Sequence, residues 1–101
     1  MLVRIVRMTF KPEHVEDFLN LFHETKWLIR DFNGCHHLEL LKDYHQGHVY
    51  FTYSHWIDDE ALQKYRNSSL FKAVWKKTKI LFAEKPLAYS MFKTDIIGLK
   101  E

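Results

Sequence analysis

The stretch His36–Trp56, HHLELLKDYHQGHVYFTYSHW, sets the topology of this 101-residue chain. Its first part carries an apolar run, and its last part, Val49–Tyr53, is rich in β-branched and aromatic residues, which favour strands. Between the two runs, Asp43–Gly47 contains residues that are typical of turns. The stretch therefore predicts an antiparallel β-hairpin at the centre of the fold.

Helical patterns flank this hairpin on both sides. Pro12 suits the first turn of a helix that we expect to reach about Asp31, and Gly34 suits the cap that follows it. After the hairpin, Asp58 is a favourable N-cap for a short helix. Apolar residues at spacings of three and four then predict a third helix over residues 70–82.

An apolar strand is predicted outside each helical region, at Leu2–Phe10 and at Leu87–Lys93. The order is then β-α-β-β-α-β with the second helical region split in two, which is the ferredoxin-like α+β pattern with an antiparallel sheet. Helices cover one face of such a sheet, yet Val3 and Ile5 predict an apolar second face. A homodimer packed through that sheet face, forming a dimeric α+β barrel, would cover it.

Composition limits the classes of function. The chain is predicted to be one domain, residues 1–101, whose apolar tail, residues 94–101, docks on the body or on a partner. A formal net charge of +2, with scattered basic residues, argues against a nucleic-acid partner. No apolar stretch approaches the roughly 20 residues of a membrane span, and arginines interrupt the apolar N-terminus, unlike a signal peptide. A single cysteine, Cys35, favours a reducing cytoplasmic location.

Four motifs carry a family resemblance over about residues 1 to 93. They are Arg7–Phe10 at the end of the first strand, Phe32–Cys35 before the hairpin, Tyr53–Leu62 after it, and Ser69–Ala73 in the third helix. With these motifs the chain resembles the antibiotic biosynthesis monooxygenase (ABM) family of the dimeric α+β barrel superfamily. The resemblance implies a homodimer with one pocket per subunit, between helices and sheet. Members of the family include cofactor-independent oxygenases of aromatic polyketides or quinols, heme-degrading enzymes, and proteins of unknown activity.

The heme-degrading branch can be compared residue by residue. That branch uses an asparagine on the first strand, a tryptophan on the short helix and a histidine on the third helix, which is the heme ligand. The matching positions in this chain are Val6, Tyr65 and Trp75, so the proximal ligand is missing. The resemblance therefore argues against heme degradation, and we expect no cofactor.

The family alignment and the alternation of the first strand predict a substrate pocket. Ordinary core packing is the alternative explanation for aromatic residues at helical spacing. The predicted pocket residues are Arg4, Val6, Phe22, Tyr65, Phe71 and Trp75.

Seven histidines are present, but none of their spacings matches a metal site, so no metal is predicted. For catalysis, Tyr65 is predicted to orient a substrate, while His55 and His37 are candidates for a general base near neutral pH. The strand faces of these two histidines are also candidates for the dimer face, which would remove them from catalysis.

Two functions follow as hypotheses. One is a cofactor-independent monooxygenase of the ABM type acting on a small aromatic substrate, such as a quinol or a polyketide-like compound. The alternative is a non-catalytic small-molecule-binding or structural dimer of the same fold. RNA binding, which the same element order permits, is disfavoured because the third strand lacks the Gly-Phe core of the RNA-recognition signature. A pocket without any ionisable group would favour the non-catalytic class.

Overall fold

A computed structural model describes residues 1–98 of the chain. Its helices and strands follow the predicted order, and a short 3-10 turn at Pro12–His14 precedes the first helix. The elements are β1 (Leu2–Thr9), α1 (Val15–Arg30), β2 (Cys35–Lys42), β3 (Val49–Trp56), α2 (Asp59–Arg66), α3 (Ser69–Lys79) and β4 (Leu87–Phe92).

The four strands form one antiparallel sheet in the order β2-β3-β1-β4, which confirms the predicted ferredoxin-like α+β fold. At the centre of the sheet, Val6 pairs with Thr52 on β3 and with Ala88 on β4. Successive side chains of a strand point to opposite faces. The even-numbered residues of β1, β3 and β4 therefore face the helices, and the odd-numbered ones face the open side of the sheet.

Two clusters of buried residues lie between the sheet and the helices. In one of them the rings of Phe10 and Phe18 stack with their centroids 4.1 Å apart. The other cluster is built around Trp56 and Leu62, which are 1% and 2% exposed. Residues of both clusters border the cavity described below.

Local interactions fix the position of α2. The Asp58 carboxylate accepts a hydrogen bond from the Ala61 backbone N–H at 2.8 Å, which confirms the predicted N-cap. Gly34 has a φ of +91°, and a Cβ atom at this residue would lie 2.5 Å from the Cβ of Ala61. Only glycine permits this close approach between the end of α1 and the start of α2.

The prediction that the third helix continues to Phe82 is wrong, because α3 ends at Lys79. The chain leaves the helix to pair with the end of β1. The Leu81 carbonyl accepts from the Lys11 N–H at 3.0 Å, and the Ala83 N–H donates to the Thr9 carbonyl at 2.8 Å. These backbone hydrogen bonds compensate for the helical ones that are lost.

The open face of the sheet carries apolar side chains that are about half exposed. Leu41 lies on β2, and Leu87, Tyr89 and Met91 lie on β4, with exposed fractions between 43% and 52%. The homodimer through this face therefore remains a prediction with a surface that suits it. No helix within residues 1–98 is long and apolar enough to span a membrane.

The tail predicted at residues 94–101 is described only as far as Gly98, and residues 99–101 lie outside the described part of the chain. Ile96 and Ile97 are 74% and 86% exposed, so these two side chains do not pack on the body of their own chain. Docking of the tail on a partner stays a prediction.

Candidate functional site

A cavity of about 330 Å³ lies between the helix-covered face of the sheet and the helices. This volume is in the range of small-molecule pockets. The structure brings all six predicted pocket residues to this one cavity. Its lining comprises Arg4, Val6, Met8, Leu38, Thr52, Ser54, Trp56 and Ala88 from the sheet, and Phe18, Phe22, Ile29, Leu62, Tyr65, Arg66, Phe71, Val74, Trp75, Thr78 and Pro86 from the helices and loops.

Four aromatic rings in mutual contact form one wall of the cavity. Trp56 on β3 stacks on Tyr65 of α2 with the ring centroids 4.9 Å apart. Tyr65 meets Phe71 of α3 edge to face at 5.2 Å. Phe71 in turn stacks on Trp75 at 5.6 Å with an interplanar angle of 13°. Such a wall suits a flat aromatic ligand, because ring faces and edges attract one another in these arrangements.

The polar groups of the cavity concentrate at one end of the sheet. Arg4 is paired with Ser54 on β3 and with Ser90 on β4, and its Nη1 donates a hydrogen bond to Ser90 Oγ at 2.9 Å. Ser54 Oγ accepts from Trp56 Nε1 at 3.0 Å. Further along β1 the helix-facing residues are Val6 and Met8, so the cavity has a polar end and an apolar end.

The Tyr65 hydroxyl is a hydrogen-bond donor that the protein leaves available. Burial raises the pKa of Tyr65 far above its ordinary value of 10, so the side chain stays protonated at neutral pH and is unsuited to act as a base. Among the side-chain hydrogen bonds of residues 1–98, none involves this hydroxyl, and no buried polar side-chain atom lacks a partner. The hydroxyl is therefore accessible.

His37 and His55 lie on the open face of the sheet, opposite the cavity. Their rings are neighbours, with centroids 4.9 Å apart, and His55 Nε2 lies 2.7 Å from the Tyr53 hydroxyl. His37 Nε2 lies 3.0 Å from Glu39 Oε2, and His37 also borders a smaller groove between α1 and β2. Neither histidine lines the cavity, so neither is placed to act as a general base toward a ligand bound there, and a catalytic role for them stays an untested prediction. The cause is the strand alternation, which puts odd-numbered β3 residues on the open face.

Among the described residues, the cavity lacks a metal-binding cluster and the histidine used by the heme-degrading branch. Within residues 1–98, no three His, Cys, Asp or Glu side chains are close enough to hold a metal ion. The three positions matched to the heme-degrading branch, Val6, Tyr65 and Trp75, all line the cavity. The described lining contains neither histidine nor cysteine, the protonated Tyr65 is a poor source of a phenolate ligand, and the thioether of Met8 is the one common axial-ligand group among the described lining residues.

The sequence-based prediction missed several lining residues. Thr52, Ser54 and Trp56 follow from the alternation of β3 once the helix-covered face is known, so their signal was present in the sequence. Arg66 had no such signal, because it reaches the cavity only through the placement of the last turn of α2. Cys35 is buried, and this burial raises the pKa of its thiol.

The fold and the cavity together define a ferredoxin-like α+β protein with an aromatic-lined cavity between sheet and helices. The model of the family described as "Antibiotic biosynthesis monooxygenase" matches residues 1–77. The chain therefore belongs to this family.

Solved structures share the fold over nearly the whole chain. A crystal structure of an antibiotic biosynthesis monooxygenase is 20% identical and superposes with a TM-score of 0.88, covering 94% of this chain and 100% of its own. A conserved protein from Methanosarcina mazei Go1 is 19% identical with a TM-score of 0.87, covering 93% of this chain and 94% of its own. At these identities the likeness concerns the fold alone.

A curated relative from Natronomonas pharaonis is named "Putative heme-binding protein NP_2262A". It is 28% identical over 78 residues, which are 77% of this chain. The chain spans only 13% of the length of that relative. Heme binding is thus a property stated for a much longer protein.

Proposed function

We propose that the protein is a cofactor-independent monooxygenase of the ABM type that acts on a small aromatic substrate bearing an ionisable hydroxyl, such as a quinol or a polyketide-like phenol. The observation that carries this proposal is the aromatic-walled cavity. Tyr65 lines this cavity, and its hydroxyl makes no hydrogen bond to the described residues. Family membership supports the same reaction class.

The chemistry requires a substrate that supplies its own electrons. When a ring methylene reacts with O₂ to give a ring carbonyl and water, the carbon loses four electrons and two hydrogens. Each oxygen atom takes two of these electrons, one atom entering the carbonyl and the other leaving as water. An ionised hydroxyl on the ring makes this electron release easier.

The residues of the cavity support ionisation through a hydrogen bond. Tyr65 remains a donor at neutral pH, and a donor that is aimed at a phenolate favours the charged form and so lowers the substrate's pKa. The aromatic wall excludes water from the ring. In this scheme the proton of the substrate hydroxyl passes to water, and Tyr65 positions and stabilises the anion that remains.

The test is oxygen uptake by the purified protein with a panel of anthrones, dihydroxynaphthalenes and hydroquinones. We expect protein-dependent uptake with at least one polycyclic phenol. Tyr65→Phe should lower its rate by about 10²-fold, which is typical of the loss of one preorganised donor to a developing oxyanion. Tyr44→Phe is the matched control, because Tyr44 is 93% exposed in the hairpin turn and should leave the rate unchanged. Equal rates for the wild type and Tyr65→Phe would remove Tyr65 from the mechanism.

A second candidate function is binding without turnover. It is favoured by one specific observation: the described lining of the cavity contains no His, Asp, Glu or Lys that could accept a proton. Saturable binding of a polycyclic phenol without any protein-dependent oxygen uptake would select this alternative.

We also propose that the protein is a homodimer through the open sheet face. The half-exposed side chains of Leu41, Leu87, Tyr89 and Met91 support this assembly, since a second copy would remove them from water. Light scattering should give twice the 12.3 kDa of one chain, and a monomeric mass would refute the assembly. A reducing cytoplasmic location is proposed with it, supported by the buried single thiol of Cys35.

A further inference from the structure

The polar end of the cavity carries two arginines and, among the described lining residues, no carboxylate. Arg4 comes from β1 in the middle of the sheet, and Arg66 is the last residue of α2, directly after Tyr65. None of the ion pairs within residues 1–98 that are shorter than 4.0 Å includes either arginine. Both guanidiniums therefore carry a positive charge that no carboxylate contacts directly.

The position of Arg4 is unusual for a charged residue. It lies on the helix-covered face of a strand that has neighbours on both sides, where Val6 and Met8 occupy the next two positions on the same face. Arg4 is half-buried there, and its partner Ser90 is exposed, so the guanidinium is removed from water only in part. Even partial removal of a charge from water costs free energy unless the charge is paired. Its one protein partner, Ser90 Oγ, is neutral, and the other N–H groups make no hydrogen bond to described residues.

The nearby charges also give a positive electrostatic potential at Arg4. Burial and, next in size, repulsion from Arg66 lower the pKa of the Arg4 guanidinium, and attraction to Asp59 opposes them more weakly. Arginine stays protonated in spite of such shifts. Two like charges that are held near one cavity would be stabilised by an anion placed between them and the aromatic wall.

We propose that the ligand of this cavity is an aromatic carboxylate, whose rings lie against Tyr65 and Trp75 and whose carboxylate binds the guanidiniums of Arg4 and Arg66. This inference deepens the proposed function, in that it uses the same cavity and names the class of its substrate. The planar fork of arginine N–H donors matches a carboxylate, and the flanking Ser54 hydroxyl adds a neutral polar group. The carboxylate is separate from the hydroxyl that ionises in the reaction.

The test compares two flat ligands of nearly equal shape, 2-naphthoate and its neutral amide 2-naphthamide, by isothermal titration calorimetry with the full chain. We expect the naphthoate to bind about tenfold to hundredfold more tightly, as a hydrogen bond to a charged group implies. Its affinity should fall as salt is added, while that of the amide should stay constant.

Variants locate the carboxylate site. Arg66→Gln alters an exposed residue at a helix end, so it should fold normally and should reduce the preference for naphthoate by about tenfold. Arg4→Gln should do the same, and Arg4→Lys, which keeps the charge, should restore part of the preference. Arg7→Gln is the matched control, because Arg7 lies on the same strand but on the opposite face of the sheet.

Each outcome is decisive. Equal binding of the two ligands by the wild type, no binding of naphthoate at millimolar concentration, or an unchanged preference in both glutamine variants overturns the carboxylate site. If the preference is present but no phenol supports oxygen uptake, the carboxylate site stands and the monooxygenase proposal fails. If neutral phenols support oxygen uptake and the preference for naphthoate is absent, the monooxygenase proposal stands and the carboxylate site fails.

Discussion

Replacement of Gly34 by alanine should destabilise the fold for two separable reasons. The φ of +91° is a conformation that costs an L-residue about 1–2 kcal/mol. The new Cβ would also lie 2.5 Å from the Ala61 Cβ and 3.3 Å from Ile57 Cγ2, and overpacking of this kind costs about 1–3 kcal/mol. The smaller entropy of the unfolded alanine chain returns about 0.4–1 kcal/mol, so the net loss is about 1–4.6 kcal/mol.

The measurement is urea unfolding followed by circular dichroism at one protein concentration. Gly47→Ala is the matched control, because its Cβ would meet only the end of the flexible Lys42 side chain at 3.7 Å, and we expect a change within about 0.5 kcal/mol. A loss in Gly34→Ala that is no larger than in Gly47→Ala would refute the reasoning.

A double-mutant cycle separates steric overlap from backbone strain. Ala61→Gly removes the atom that the new methyl group would meet, although glycine in a helix itself costs about 1 kcal/mol. The loss of stability in the double variant should therefore be smaller than the sum of the two single losses by about 1–3 kcal/mol, which is the contribution of overpacking. Additive losses would show that backbone strain alone explains the effect. Because α2 carries Tyr65 and Arg66, Gly34→Ala should also weaken ligand binding.

Two further predictions concern capping and pH. Asp58→Ala removes the side chain that accepts the Ala61 N–H and should cost about 1 kcal/mol in urea unfolding, whereas Asp58→Asn should retain most of the stability. Burial, with Lys93 and His37 as secondary causes, lowers the pKa of His55 in the folded state below 6.5. The unfolded chain then binds more protons than the folded one, so the free energy of unfolding should fall as the pH drops from about 6.5 through the pKa of His55 in the folded state. The urea midpoint, measured as a function of pH, should follow this fall. His55→Gln should flatten this part of the pH profile. A wild-type profile that stays flat over that range would contradict the second prediction.

The fold class was predictable because its signals are local. The alternation of the strands, the Asp58 cap and the turn residues after Leu41 each depend on a few neighbouring residues, and all of them agree on one element order. The end of α3 was not predictable in the same way. Residues 80–83 keep a helical apolar spacing, but their backbone groups form hydrogen bonds with the distant end of β1.

The candidate site divides along a similar line. The family alignment and the even-numbered face of β1 predicted Arg4, Val6 and several aromatic residues of the cavity. Such predictions are possible because strand alternation and helical spacing depend only on the order of residues along the chain. Which face of the sheet the helices cover depends on long-range packing, and only the folded chain separates His37 and His55 from the cavity. Long-range packing also brings Arg66 to the same cavity as Arg4, residues that are far apart in sequence. The charge at the polar end of the site is thus a property of the tertiary structure, while three rings of its aromatic wall, those of Tyr65, Phe71 and Trp75, were already predicted with the family resemblance.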